Sequence, residues 1–469
     1  MPHSFLVGGE WRTTSRVLEV HFPYNNEVTE CVCLAGDEDC EDAMKAALSG
    51  FRKMRLMPAY ERATILERMA SGIAHSADEL AECLVRECGK TRLLAGIEVM
   101  RAAETLRISA GEATRTEGEI IPLDSTEHGE GRTGFLKRVP AGPVLCITPF
   151  NFPLNLACHK IGPAIAAGNS FILKPASKTP LSAIILGRIA LEAGMPPEAV
   201  SVLPCEATLA ERLVRDHRIA VLSFTGSPDV GWHLRAIAGQ KRVALELGGN
   251  AAVIVHEDAD LEKAAARIAE GGCMNAGQVC ISVQRVFLQN SIYNRCLEMI
   301  ADRMKSLRTG DPRDPETEIG PMISEEAAET AEKKVTAAVR GGAEVVTGGR
   351  RSGTLFEPTL LVATTPDMAV NRNEVFAPII TVTPYETFTE AISRANNSEY
   401  GLQMGIFTDD MNRIMEAFGS AEVGGLIIND IPSFRTDPMP YGGVKLSGMG
   451  REGPRHAIEE MTERRFMVI

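Results

Sequence analysis

The stretch GPVLCITPFNFPLNLACHKIGPAIAAGNSFILK, residues 142–174, decides the fold class. Its opening, 142–148, is a short apolar run bounded by Gly-Pro and Thr-Pro, the pattern of a strand buried on both faces. Helical spacing follows near 156–167, and SFILK at 170–174 reads as a second buried strand. The alternation continues with a helix at 180–193, a strand at 200–204, a helix near 207–215 and a strand at 219–226. A second series opens with AAVIV at 251–255, with helices near 260–274 and 291–307. Strands alternating with helices imply βαβ units around parallel sheets, so the expected class is α/β.

Working outward, residues 37–113 carry apolar side chains at three- and four-residue spacing and predict helices. Residues 114–139 are polar and glycine-rich and predict turns and an extended, projecting hairpin. The chain has 469 residues, enough for two to three domains, and 44% hydrophobic with 24% charged residues suits a globular enzyme. A net charge of -13 argues against a general nucleic-acid binder, which needs lysine and arginine to neutralise phosphates. The N-terminus MPHSFLVGGEWR lacks the pattern of a signal peptide, and no run approaches the ~18 apolar residues of a membrane span. Eleven scattered cysteines read as reduced thiols, so the expectation is a cytoplasmic protein with no membrane partner. Cys31 and Cys33, and Cys83 and Cys88, have no matching second half, so no metal site is predicted.

GMGREG (448–453) matches the G-x-G-x-x-G fingerprint but follows a loop where that motif needs a strand, so a structural turn is expected. FTGSPDVG (224–231) is the better nucleotide candidate. There a strand leads into a turn at Gly226 and Ser227, and Pro228 suits the first turn of a helix whose free N–H groups suit a pyrophosphate. Lys174, ending the strand SFILK, is placed for a ribose hydroxyl or else is a solvated strand-end lysine. Cys280 lies in NAGQVCIS (275–282), among small and polar neighbours that leave room for a carbonyl. A free cysteine is more often an inert core residue. Glu246 in LELGGN (245–250) sits at a strand end, where apolar surroundings would raise its pKa toward that of a general base. Asn151 in TPFNFP (148–153) offers a side-chain amide to an oxyanion, together with the Cys280 N–H.

Taken in order, TPFNFP, LKPAS, FTGS, LELGGN, NAGQVC, NEVFAP and YGGVKLSGMGREG resemble the aldehyde dehydrogenase superfamily over essentially the whole chain. The motifs are most similar to lactaldehyde dehydrogenases and non-phosphorylating glyceraldehyde-3-phosphate dehydrogenases. The resemblance implies NAD(P)-dependent oxidation of an aldehyde to an acid, with Cys280 as nucleophile, Asn151 on the oxyanion and Glu246 activating water. It places Thr148, Pro149, Lys174, Gly226, Ser227, Leu247, Glu374 and Phe376 against the cofactor. It also implies a Rossmann-like cofactor domain (1–118 and 140–247) and an α/β catalytic domain (248–437). A small β oligomerisation element with the C-terminal tail (119–139 and 438–469) completes a homodimer or homotetramer.

Three departures, and two arginines, bear on specificity. Many NAD-specific relatives carry a glutamate where this chain has Ser177, followed by Lys178. That change favours NADP, or both cofactors, unless Lys178 points into solvent. Succinic-semialdehyde relatives carry arginines where this chain has His159 and Met274, which weakens that substrate and leaves His159 as a candidate substrate contact. Arg101 and Arg435 either clamp an anionic or hydroxylated tail, as for lactaldehyde or glyceraldehyde-3-phosphate, or serve as structural ion pairs. A succinic-semialdehyde-type or broad-range aliphatic enzyme, and a cofactor-free thiol esterase using Cys280 and Glu246, remain as alternatives.

Overall fold

The structure is a computed structural model describing residues 1–115 and 117–469. The apolar run at 142–148 is the strand Val144–Ile147, at the middle of an eight-stranded sheet. On one side lie Phe171–Lys174 and then Val200–Val202; on the other lie Val221–Thr225 and then Arg242–Glu246, all parallel. Successive strands therefore run outward in one direction and then, after a crossover, in the other. The crevice at the carboxyl ends of Val144–Ile147 and Val221–Thr225 is the switch point where doubly wound sheets bind ligands. The antiparallel edges are Phe5–Val7 with Glu10–Arg12, and Gly448–Met449 beside Arg242–Glu246.

Side chains alternate across this sheet as the pleat requires. Val144 and Cys146 join a core with helices α2 (Ala59–His75), α4 (Arg92–Ala113), α5 (Pro153–Ala167) and α6 (Leu181–Glu192). Leu145 and Ile147 face the other way, toward α1 (Asp37–Met54), α7 (Ala207–Arg215) and α8 (Pro228–Ile237). Helix α3 (Ala77–Cys88) completes the first layer. Both faces of the sheet are covered, which explains why its strands read as continuous apolar runs.

Every residue of α5 is buried, so its polar side chains need internal partners. Lys160 Nζ donates to Glu452 (2.9 Å) and Ser223 (3.2 Å), and Thr105 donates to Asn155 (3.1 Å). The helix starts at Pro153, three residues before its apolar spacing begins. Its N-terminal amides, which have no partner within the helix, are satisfied from a distance: Glu98 on α4 accepts from Leu154 N–H (3.0 Å) and Asn155 N–H (3.1 Å). Glu87 on α3 does the same for α6, accepting from Leu181 N–H at 2.8 Å and Ser182 N–H at 3.2 Å.

A second, seven-stranded sheet is centred on Arg285–Gln289 and Ala252–Val255 and is parallel except at Glu344–Thr347. Helices α9 (Leu261–Cys273) and α10 (Tyr293–Ser306) pack into its core. Gly118–Pro122, Thr133–Pro140 and the C-terminal strand Thr462–Val468 form a separate three-stranded sheet. The expected hairpin is thus present, but residues 438–469 divide three ways. Tyr441 and Glu452 reach the central cavity, Gly448–Met449 closes the eight-stranded sheet, and only 462–468 joins the hairpin. The GMGREG turn follows a two-residue strand, Val444–Lys445, and Gly448 packs against the Leu245 carbonyl where no side chain would fit. Among the described residues, no helix is long and apolar enough to cross a membrane.

Candidate active site

A cavity of about 680 Å³ opens at the switch point and contains Cys280, Glu246 and Asn151 in its wall. The loop after Val144–Ile147 supplies Thr148 to Phe152, and the turn after Val221–Thr225 supplies Gly226 and Ser227. The second sheet's side contributes Cys280, Glu374 and Phe376.

Cys280 is presented by an irregular segment after α9. Asn275, Ala276 and Gly277 all lie in the left-handed region, at φ 53°, 54° and 68°. Two of these are non-glycine residues, so the turn stores strain, a common feature of functional sites. Gln278 holds it: its side-chain oxygen accepts from Ile323 N–H (2.8 Å) and its side-chain nitrogen donates to Asn275 O (3.2 Å). Asn151 Nδ2 donates to Gln278 O at 2.9 Å, which ties the loop after the central strand to the cysteine turn. Burial pushes the Cys280 thiol up to about 11, against the pull of its 2.9 Å contact with Tyr441 Oη and the charge of Arg435.

Glu246 is the last residue of its strand, registered opposite Thr225. Burial, and then the neighbouring Glu452 carboxylate, push its pKa well above the ordinary value. Both of its oxygens are buried without a hydrogen-bond partner among the described residues. Any side chain at Gly442 would meet Glu246 Oε1 at 2.9 Å, so the glycine keeps space beside the carboxyl. Glu452 goes the other way, to about 2: Lys160 and Arg435 outweigh its desolvation. Two neighbouring carboxyls are therefore driven apart in pKa, Glu246 upward and Glu452 downward, the pattern that separates a proton-exchanging carboxyl from a fixed anion.

The same cavity wall holds Thr148, Pro149, Lys174, Ser177, Leu247, Glu374 and Phe376. Glu374 accepts from Gly249 N–H at 3.1 Å, and burial raises its pKa to about 7. Its approach needs Gly248, because a β-carbon there would collide with the carboxylate. Phe376, at φ 54°, packs edge-on against Phe150 with centroids 5.9 Å apart. Helix α8 begins with Pro228 after the Gly226–Ser227 turn and has no side-chain hydrogen bond at its cap, so its first turn offers N–H groups to a ligand there. The Thr148 and Thr225 hydroxyls are also buried without partners among the described residues. A lysine, a carboxylate, spare hydroxyls and an open helix N-terminus along one cavity fit a dinucleotide. Lys178 is exposed and outside the cavity wall, so it does not reinforce Ser177 there.

Near Cys280 and Glu246 the cavity meets a charged cluster. Arg101 pairs with Asp437 at 2.8 Å, and Arg435 pairs with Glu452 at 3.1 Å. Both arginines line the cavity, and Arg435 Nε has no partner among the described residues. His159 is not in the wall; it is buried on α5 with Nε2 2.9 Å from Asp437. The expected direct contact of His159 with substrate is therefore replaced by a supporting contact with an Arg101 partner. Burial, and then Arg435, lower the pKa of His159, favouring its neutral form.

A model of the aldehyde dehydrogenase family matches residues 11–467. The chain belongs to that family. It is an oxidoreductase acting on aldehydes. It is 44% identical to a 3-sulfolactaldehyde dehydrogenase of Priestia aryabhattai, covering 100% of this chain and 98% of that protein. Aldehyde dehydrogenase 21 of Physcomitrella patens, solved with the reaction product succinate, superposes with a TM-score of 0.98 at 40% identity, covering 100% of this chain and 98% of that one. Glyceraldehyde-3-phosphate dehydrogenase GapN of Methanocaldococcus jannaschii, solved with NADP, gives 0.93 at 38% identity over 98% of this chain and 99% of that one.

Within this aldehyde dehydrogenase, sequence reading gave no role to Tyr441 and Glu452, which line the cavity, or to Lys160, which pairs with Glu452. Tyr441 lies inside a quoted motif without having been singled out. Glu452 sits in a fingerprint assigned to a structural turn, and Lys160 sits in an apolar helix. Their shared signal is a polar side chain where the pattern buries everything, which demands a partner.

Proposed function

We propose that this enzyme oxidises a small, hydroxylated aldehyde carrying an anionic group, with NAD(P) as electron acceptor and a preference for NADP. The observation that carries this reading is the placement of Arg101 and Arg435 in the wall of the cavity that also holds Cys280. With Glu246 and His159 pushed toward their neutral forms, Arg101, Lys160 and Arg435 outnumber their partners Asp437 and Glu452, and Arg451 near Glu246 adds to this excess of positive charge. A sulfonate, phosphate or carboxylate tail would neutralise it. The relatives' names, 3-sulfolactaldehyde and glyceraldehyde-3-phosphate, and the succinate of the moss enzyme all belong to that class.

In this mechanism the Cys280 thiol gives its proton to solvent, and the thiolate attacks the aldehyde carbon and forms a C–S bond. The carbonyl oxygen takes the electron pair and is held by the Asn151 side-chain amide and the Cys280 N–H. NAD(P), when bound among Lys174, the Gly226–Ser227 turn and Glu374, supplies the two-electron acceptor that takes the product to the acyl level. Glu246 then takes a proton from water as the water attacks the thioester. The C–S bond breaks and the carboxylic acid leaves. Thr148, Pro149, Leu247 and Phe376 shape the cofactor end, and Ser177, with no carboxylate to repel a 2′-phosphate, supports NADP. The three-stranded sheet is the contact for further copies of the chain, in a homodimer or homotetramer.

The test is reduction of NAD and NADP over a panel of sulfonated, phosphorylated, carboxylated and uncharged aldehydes. Arg101→Ala and Arg435→Ala should raise KM for the best anionic substrate about 10- to 100-fold, the value of a charge-assisted hydrogen bond. KM for uncharged aldehydes should move far less. Unchanged KM for every anionic aldehyde in both variants would remove the anion clamp and leave the arginines as structural ion pairs.

A further inference from the structure

We propose that Tyr441 is a further catalytic residue, whose phenolic O–H donates to Cys280 Sγ and holds that sulfur as the thiolate that attacks the substrate. The proposal rests on Cys280 being the nucleophile and adds the group that prepares it. Tyr441 is 2% exposed, and a buried phenol hydroxyl needs a hydrogen-bond partner. Among the described residues it has one, Cys280 Sγ at 2.9 Å. With a neutral thiol either atom can donate. Once the sulfur ionises it can only accept, so the bond becomes charge-assisted and favours the thiolate.

The surroundings keep the phenol in that role. Arg435 lies over the Tyr441 ring, 3.6 Å from its centroid. A cation there draws electron density from the ring and makes the hydroxyl a better donor. It also fixes the ring plane, because Arg435 is anchored by Glu452. The same residue anchors the tyrosine's backbone: Tyr441 N–H donates to Glu452 O at 3.1 Å, and Glu452 N–H donates back at 2.6 Å. One residue thus sets both the ring and the cation above it. The charged groups acting on Cys280 are Arg435, which favours the thiolate, and Glu374 and Glu246, which oppose it. Those acting on Tyr441 are Arg435, Glu246 and Cys280 itself. Tyr441 is therefore the hydrogen-bond donor that, with Arg435, works against burial and two carboxyls.

The gain in rate follows from thiol chemistry. Each unit by which a thiol pKa falls toward ambient pH gives about tenfold more thiolate and costs about threefold in nucleophilicity. The net benefit is about threefold per unit. A charge-assisted bond corresponds to about one to two units.

The experiment compares wild-type protein, Tyr441→Phe and Cys280→Ala. The alkylation rate of Cys280 by iodoacetamide is followed against pH by mass spectrometry of its peptide, alongside kcat/KM for the best aldehyde. Phenylalanine keeps the ring and the Arg435 stack, and an unchanged thermal midpoint verifies the fold. The expected result is an alkylation profile displaced upward by about one to two pH units in Tyr441→Phe. Its kcat/KM should be about three- to tenfold lower near neutrality and converge on wild type as pH rises. An undisplaced profile overturns the proposal. If Cys280→Ala still oxidises aldehydes, the nucleophile assignment fails instead. An inactive Cys280→Ala with an undisplaced Tyr441→Phe profile removes only the tyrosine's role.

Discussion

Glu246 shows how one carboxyl gains a task from its neighbours. It is buried beside Glu452, which Lys160 and Arg435 keep ionised, so the proton that both carboxyls compete for resides on Glu246. Its pKa is raised, so the ionised base is lost as pH falls and accumulates as pH rises through that elevated value. Thioester hydrolysis should therefore accelerate with pH on the acid side of the optimum, and Glu246→Gln should lose that limb. The variant should still release a first equivalent of reduced cofactor as a burst, with steady-state turnover down by about 10²- to 10⁴-fold. Rapid-mixing absorbance and intact-mass detection of an acylated Cys280 check this; a variant with no burst and no acyl adduct would place Glu246 earlier, in activating the thiol. The three central residues were legible because each sits in an uncommon local context: a cysteine among small residues, a glutamate before two glycines, an asparagine between aromatics. His159 and Lys178 were not placed, because spacing gives a position on the chain but not what covers it. Asp437, 278 residues away, covers His159.

At the scale of elements, the buried Lys90–Glu98 pair does work that periodicity cannot report. Both side chains are fully buried and joined as an ion pair, and Glu98 also receives the first amides of α5, directly after Asn151 and Phe152. Lys90 Nζ also lies 3.5 Å from the centre of the Phe152 ring. Glu98→Gln leaves an uncompensated buried ammonium, which costs about 3–5 kcal/mol. The thermal midpoint should fall clearly, and KM should rise as the Asn151 loop loosens. Adding Lys90→Met to Glu98→Gln should recover part of the stability, since removing both charges is cheaper than stranding one. Calorimetry of the two variants decides it: if the double variant is no more stable than the single, the cap outweighs the pair. This cap also explains why α5 begins earlier than its apolar spacing suggested. The strand–helix alternation was legible from 142 to 307 because both faces of each sheet are covered, which leaves apolar runs separated by turns. Long-range capping by Glu87 and Glu98 was not, because a glutamate inside a helical pattern reads as a solvated face.

For the whole molecule, the three-stranded sheet is a part that exposes clustered apolar side chains. Its C-terminal strand pairs with Thr133–Pro140 over seven registered positions, from Thr462 opposite Pro140 to Val468 opposite Gly134. Yet Phe466, Met467, Val468 and Ile469 are 47%, 53%, 45% and 72% exposed, and Ile120 on the same sheet is 71% exposed. Successive strand residues point to opposite faces, so apolar side chains stand open on both sides of a thin sheet. A surface of that kind is ordinarily covered by a partner, and the family resemblance supplies the partner as another copy of the chain. Light scattering on the full chain should therefore give a multiple of 50.7 kDa. Phe466→Lys combined with Met467→Lys places one charge on each face and leaves the backbone pairing intact, so it should shift the mass toward 50.7 kDa. NADP binding should survive, because the cavity lies at the ends of the eight-stranded sheet and none of these side chains lines it. A full chain that runs at 50.7 kDa, or a double variant whose mass does not change, would take the oligomer contact away from this sheet.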